Sequence, residues 1–205
     1  LDARPANMLE RTLNAWTRTM GSVQALLQLE IPPAMSLYFS GTDLRDYYYC
    51  FRVSSRRAWR NAMRLPLSPA EVAGLNCFSP SMKHYKTLYP CLSTMAMGDN
   101  NAVEMGQAAH VNIGIQIGAI KPKELLTTHG RAPRSNIACG LIIDDIIFAE
   151  QRETPPSDAV PSEGARRLRA MCAEYERRHL FAHPRKTFAD ENTVEFWGAA
   201  MNGSS

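Results

Sequence analysis

The run Ile142-Ile143-Asp144-Asp145-Ile146-Ile147 constrains this chain more than any other stretch. β-Branched residues on both sides favour extended strands, where stiff side chains pack on a pleated surface. Two adjacent carboxylates in the middle break the pattern of a buried strand. An ionised carboxylate taken out of water without a partner costs on the order of several kcal/mol, so buried acids are normally paired or metal-bound. The stretch therefore reads as two strands joined by a tight hairpin that carries both acids at its tip. A plain turn is the ordinary alternative, because Asp is a common turn residue.

A matching context lies upstream. Tyr38-Phe39-Ser40-Gly41-Thr42-Asp43-Leu44-Arg45-Asp46-Tyr47-Tyr48-Tyr49-Cys50-Phe51 is a second aromatic, strand-like run interrupted by acids. It places Asp43 near a strand end and Asp46 just past it. Asp43, Asp144 and Asp145, from neighbouring strands, can converge on one point. Like charges a few ångströms apart do not all stay ionised unless a cation joins them. Oxygen-only donors with no nearby His or Cys point to magnesium or manganese rather than zinc. Two such ions can activate an attacking hydroxyl and stabilise a leaving oxygen in phosphoryl transfer.

Further motifs occur in a fixed order along the chain. Asp2-Ala3-Arg4-Pro5-Ala6-Asn7 resembles the Asp-x-Arg-x-x-Asn segment that closes the fingers sheet of a reverse transcriptase. Asp43-Leu44-Arg45-Asp46 with its tyrosines resembles the first catalytic motif, and Ile142-Ile143-Asp144-Asp145 the catalytic hairpin. Met95-Ala96-Met97-Gly98-Asp99-Asn100-Asn101-Ala102 resembles the Leu-Pro-Gln-Gly-x-x-Asn motif that meets template and nucleotide. Pro184-Arg185-Lys186-Thr187 and Val194-Glu195-Phe196-Trp197-Gly198 resemble the lysine-bearing loop and the primer-grip hairpin. The whole series is similar to the palm of a retroelement reverse transcriptase. Departures are Met97 for the usual Gln, Ala96 for the usual Pro, Ile142 for an aromatic common in retroviral enzymes, and longer gaps between motifs. None removes a metal ligand.

The resemblance implies an α+β polymerase palm, its antiparallel sheet covered by helices on one face, plus part of the fingers. Residues 1–34 would be a partial fingers segment with a connecting helix, and 35–205 the palm. It implies template-directed DNA synthesis in which a primer 3′-hydroxyl attacks a deoxynucleoside triphosphate. Asp43 and Asp144 would bridge two Mg2+ (or Mn2+) ions, assisted by Asp145 and the Leu44 carbonyl. The backbone of Asp46, Tyr47 and Tyr48 would hold the triphosphate, with Met97 and Gly98 lining the pocket and the Tyr48 ring excluding a 2′-hydroxyl. Lys186 would lie near the pyrophosphate as proton donor, while Phe196, Trp197 and Gly198 would position the primer end. Implied partners are a primed RNA or DNA template, dNTPs and flanking domains of a longer polyprotein, with no membrane. Two rivals are a catalytically inactive retroelement remnant and a nucleic-acid-binding module whose acids merely cap a turn.

Length and composition bound this reading. At 205 residues the chain can bury one substantial core, and its net charge of +3 does not by itself establish nucleic-acid binding. Five scattered cysteines without a Cys-x-x-Cys indicate neither a zinc knuckle nor a disulfide framework, and fit a reducing, intracellular setting. Apolar runs are too short for a membrane span, and no signal peptide pattern opens the chain. Leu1 falls inside what resembles a fingers motif, so the chain reads as a piece of a longer product.

Local patterns predict the remaining elements. Leu9, Leu13, Trp16, Met20, Val23 and Leu27 predict an amphipathic helix, ended by Pro32-Pro33. Arg52, Arg56, Arg57, Arg60 and Arg64 form an acid-free stretch suited either to phosphates or to a solvated face. Pro66 to Pro90 reads as loop with short pieces of structure, and Asn100 to Ile120 as a helix on which His110 is a core or surface residue rather than a catalyst. Lys121 to Ser135 reads as an irregular connection, and Thr154 to Pro161 as an exposed loop. Ser162 then caps a helix with Ala165, Leu168, Cys172, Tyr175 and His179 on its packed face and Arg166, Arg167, Arg169 and Arg177 on a solvated one.

Overall fold

The computed structural model describes residues 7–153 and 161–204. Asp2–Ala6 of the first motif and 154–160 of the loop before Ser162 lie outside the described residues. The chain divides into two compact units, one made of Leu1–Thr12 and Tyr48–Ala102, the other of Leu13–Tyr47 and Val103–Ser205. Among the described residues no helix is long and apolar enough to cross a membrane.

The second unit is built on a six-stranded sheet. Its strands are β1 (Met35–Arg45), β2 (Leu125–Leu126), β3 (Ile137–Ile142), β4 (Asp145–Glu153), β5 (Phe181–Ala182) and β6 (Phe188–Glu191). Their order is β2-β3-β4-β1-β5, with β6 also pairing β1. Neighbours run antiparallel except β2 and β3, which are parallel. A separate hairpin is formed by β7 (Thr193–Phe196) and β8 (Ala199–Asn202). Two long helices complete the unit, α1 (Ala102–Gln116, its first residue belonging to the other unit) and α2 (Glu163–Arg177). This is the expected α+β architecture of a sheet with helices packed on it.

The period-2 alternation of side chains decides what each face of the sheet meets. Leu37, Phe39, Ala138, Ile147 and Ala149 lie on one face and bury against Val194 and Phe196 of the β7–β8 hairpin and the short helix Val23–Leu26. Ile146 and Phe148 point to the opposite face, where a Cβ added at Gly164 of α2 would lie 3.3 Å from the Phe148 side chain. Fully burying such aliphatic and aromatic side chains contributes about 1.5–3 kcal/mol each. Asp43 and Asp145 share the parity of Phe39 and Ala149, so the strand period carries them to the hairpin face.

Ser162 caps α2 as expected, accepting from the Ala165 N–H at 2.9 Å. Two other expectations are corrected. The apolar spacing from Leu9 to Leu27 does not make one helix: a 3-10 turn at Thr17–Thr19 and the four-residue helix Val23–Leu26 form instead, and Leu9 and Leu27 are exposed. The backbone amides of Trp16 and Thr17 are taken by the Glu104 carboxylate at 2.7 and 2.8 Å, and the Gly21 amide bonds to the Leu141 carbonyl. Tertiary partners thus consume donors that a helix would have needed. Arg167 is buried rather than solvated, donating to Glu124 and Glu163 and to the Ala119 carbonyl.

The first unit consists of short helices at Ser55–Ala58 and Pro69–Val72 and 3-10 turns, as loop-rich composition suggested. Isolated antiparallel bridges pair Arg52 with Thr94, Ala62 with Cys91 and Leu67 with Leu88. Arg57 forks between Glu10 and Asp99, and Arg60 also reaches Glu10, so two of the five clustered arginines are tied up in ion pairs.

Candidate active site

The hairpin at the end of β3 closes on the pair Ile142 and Asp145, leaving Ile143 and Asp144 as its two-residue loop. The turn therefore sits one residue earlier than an Asp144-Asp145 tip, and Asp145 opens β4 directly across from Asp43 of β1. Ile143 has φ of +56°, a conformation that costs a β-branched residue on the order of 1–3 kcal/mol. Its backbone is clamped on both sides. The Ile143 N–H donates to Gln107 Oε1 at 2.8 Å, and His110 Nδ1 bonds to the Ile143 carbonyl at 2.8 Å. A carbonyl only accepts, so His110 Nδ1 carries the proton and Nε2 accepts from the Tyr175 hydroxyl. Gln107, His110 and Tyr175 are wholly buried, and burial holds the His110 pKa down at about 4, keeping the ring neutral. The Leu44 N–H donates to the Asp144 carbonyl at 3.1 Å, tying the turn to β1.

The acids repel one another. Burial, then the charges of Asp144 and Asp43, push Asp145 up to about 7, against the opposing pull of Lys186. Asp144 is also raised, chiefly by burial and further by Asp43. Lys186 donates to Asp43 Oδ2 at 2.5 Å, and that bond raises its own pKa. Among the described residues no three His, Cys, Asp or Glu side chains stand arranged to hold a metal ion. The ammonium of Lys186 occupies the Asp43 carboxylate as its positive partner. The donor set is nevertheless hard and oxygen-only, and the raised acids mark a shortage of positive charge that a divalent cation would relieve.

The segment that carries Lys186 is pinned to β1. The His183 N–H donates to the Asp43 carbonyl at 2.7 Å, and the Thr42 and Thr187 hydroxyls meet at 2.7 Å. A cleft of about 540 Å³ is lined by Asp145, Lys186, Phe188, Phe196, Trp197 and Gly198, among others. Trp197 and Gly198 form the β7–β8 turn, both with positive φ, at 52° and 70°, as a type I′ hairpin turn requires. The Trp197 ring lies on Gly21 and Gly140, and Phe196 meets Phe188 edge-on at 5.3 Å. Asp43, Asp145, Lys186 and the expected primer-grip residues thus gather within one unit.

Other expected residues are placed as follows. The Leu44 side chain is core, and Tyr47 is buried with its hydroxyl donating to the Gly106 carbonyl at 3.0 Å, so only their backbones can face a ligand. Asp46 follows β1 with φ of +53°. In the other unit Tyr48 is half-buried and Met97 exposed, while Gly98 has φ of +88° and open space where a side chain would be. Its carbonyl accepts from the Asn7 side chain at 2.7 Å. Gln107, Thr42, Thr187 and Tyr175 were missed as site residues. The available signal was the spacing of two polar residues, Gln107 and His110, at i and i+3 on one face of the predicted helix.

No family model matches the chain, and no curated protein matches it. Among solved structures, a foamy viral protease-reverse transcriptase in complex with an RNA/DNA hybrid is similar, with a TM-score of 0.60 over 98% of this chain. The chain has a reverse-transcriptase-like fold. Identity is 14%, so the likeness is one of fold, and this chain spans 20% of that protein.

Proposed function

We propose that this chain is the catalytic palm of a template-directed DNA polymerase of reverse-transcriptase type. The observation that carries the reading is the register of Asp43 opposite Asp145, with Asp144 in the adjoining turn and Lys186 on Asp43, within a reverse-transcriptase-like fold. Asp43, Asp144, Asp145 and the Leu44 carbonyl would hold Mg2+ or Mn2+, which when bound supplies Lewis-acid activation of a primer 3′-hydroxyl and charge neutralisation at the triphosphate. Lys186 is an exposed ammonium at neutral pH and can donate hydrogen bonds and a proton to the departing pyrophosphate. The rigid Trp197-Gly198 turn on the cleft wall serves to orient a primer end. The backbone of Asp46 and Tyr47 is the proposed contact to the triphosphate, and the Tyr48 ring is the proposed discriminator against a 2′-hydroxyl. A primed RNA or DNA template and dNTPs are the proposed partners.

The test is primer extension on RNA and DNA templates, with and without magnesium, by the chain and by Asp144→Asn. Losing one metal-binding carboxylate removes several kcal/mol of transition-state stabilisation, so the variant should fall by at least about a thousandfold while circular dichroism stays unchanged. Extension by Asp144→Asn at the unmutated rate would sink the reading. The rival reading is an inactive remnant that at most binds nucleic acid. Manganese titration separates them, because that remnant need not take up the ion at these acids.

A further inference from the structure

Aromatic side chains cluster in water in the unit that contains Tyr48–Ala102. Trp59 is 78% exposed, Tyr85 62% and Tyr89 58%. All three line one cleft of about 410 Å³, together with Ala62, Leu88 and Cys91. The backbone beneath is fixed: Ala62 bridges Cys91, the Met63 N–H donates to the Pro90 carbonyl at 2.8 Å, and Leu67 and Leu88 exchange bonds at 2.9 and 2.8 Å. Arg64 lies in the segment between the Ala62 and Leu67 bridges, and Tyr89 in the facing segment between Leu88 and Cys91. Large rings left exposed together on a fixed platform mark an interaction surface rather than scattered surface apolars.

Charge identifies the partner. Residues 48–102 hold seven Lys and Arg against Glu71 and Asp99, whereas the rest of the chain holds sixteen against eighteen. Asp99 is bound by Arg57, and Glu71 is engaged with Ser68 in capping its own helix. Arg52, Arg56, Arg64, Lys83 and Lys86 are all exposed. Basic side chains interleaved with exposed rings are what a single-stranded nucleic acid needs, since phosphates meet the cations and unpaired bases stack on the rings. Paired bases in a duplex present no free faces to such rings.

We infer that the cleft of Trp59, Tyr85 and Tyr89 is a binding site for single-stranded nucleic acid, taking an unpaired base between its rings. The site needs no metal and no catalysis, so it goes beyond the polymerase reading and stands apart from it.

The experiment is fluorescence polarisation of a labelled oligothymidylate with the full chain, in chelator and without nucleotides, so that its result is independent of primer extension. Trp59→Ala should weaken binding about fivefold or more, Tyr89→Ala similarly, and Trp59→Phe should restore most of the affinity. Trp59 is too exposed for its loss to unfold the chain. The slope of log affinity against log salt should stay unchanged in Trp59→Ala and shrink in the double variant Arg64→Ala with Lys86→Ala. Wild-type affinity in Trp59→Ala and Tyr89→Ala would overturn the proposal, as would equal competition by a blunt duplex. Self-association through Trp59 in sedimentation, without oligonucleotide binding, would make protein the occupant and overturn it too.

Discussion

Ile143 is the residue at which the site's geometry is concentrated. A β-branched residue with positive φ persists only where surroundings over-determine it, and Gln107 and His110 provide that by holding its N–H and its carbonyl. His110→Ala should leave the Ile143 carbonyl and the Tyr175 hydroxyl unpaired in a buried place, at about 1–3 kcal/mol each. The expected result is a lower midpoint in urea and, if the chain polymerises, a loss in kcat of about tenfold or more with little change in the KM for dNTP. An unchanged kcat in a destabilised variant would reduce His110 to a core residue. Titration offers a second residue-scale test. Asp145 has its folded pKa raised to about 7, so the stability it contributes is full at low pH and is lost as pH rises from about 4 to 7. His110 is lowered to about 4, so its contribution is present above about 6.5 and is lost as pH falls toward 4. The two oppose one another across most of that window. Asp145→Asn removes only the first, so its stability relative to the parent should climb between pH 4 and 7 and level off above. Metal-free urea denaturation across that range measures it, and a flat difference would mean that Asp145 titrates normally.

At the scale of elements, glycines let the β7–β8 hairpin seat on the sheet. A Cβ at Gly140 would lie 2.3 Å from the Trp197 ring, and one at Gly21 2.8 Å from the same atom. No side chain fits without moving the ring that forms the cleft wall. Gly140→Ala should therefore destabilise by about 1–3 kcal/mol, the usual cost of overpacking, and should impair primer extension if the turn orients the primer. Trp197→Leu in the same chain should recover part of the stability, since the clash disappears with the ring. Additive losses in that double-mutant cycle would mean that the two residues do not press on each other. The helix that fails to form between Leu9 and Leu27 teaches the same lesson from the other side. Its apolar spacing is real, but amides of Trp16, Thr17 and Gly21 bond to Glu104 and Leu141, and those bonds outweigh weak propensity.

Across the whole molecule, protection from exchange should follow burial. Strands β1, β3 and β4 share a continuous ladder over wholly buried Thr42, Cys139, Leu141, Ile146, Ile147 and Phe148. Residues 66–90 have one four-residue helix, short turns, mostly exposed side chains and one isolated bridge. Hydrogen exchange read by mass spectrometry should find the three strands protected to near the global unfolding free energy and residues 66–90 exchanging by local opening. Strong protection in 66–90 would show that its sparse bonding understates its stability.

Much of the fold and part of the site were legible without coordinates. β-Branched runs around Asp144-Asp145 and the aromatic run through Asp43 determined paired strands ending in acids, because strand propensity and the cost of burying carboxylates are local properties. Ser162, the helix after it and a helix within Asn100 to Ile120 followed from capping and composition for the same reason. Only the tertiary structure decided the rest. Asp43 faces Asp145 because of interstrand register, Arg167 is buried because Glu124 lies 43 positions away in sequence yet beside it in space, and Ile143 is clamped by residues of α1. Such partners are far apart along the chain, and a spacing rule sees only neighbours, so no periodicity could have revealed them.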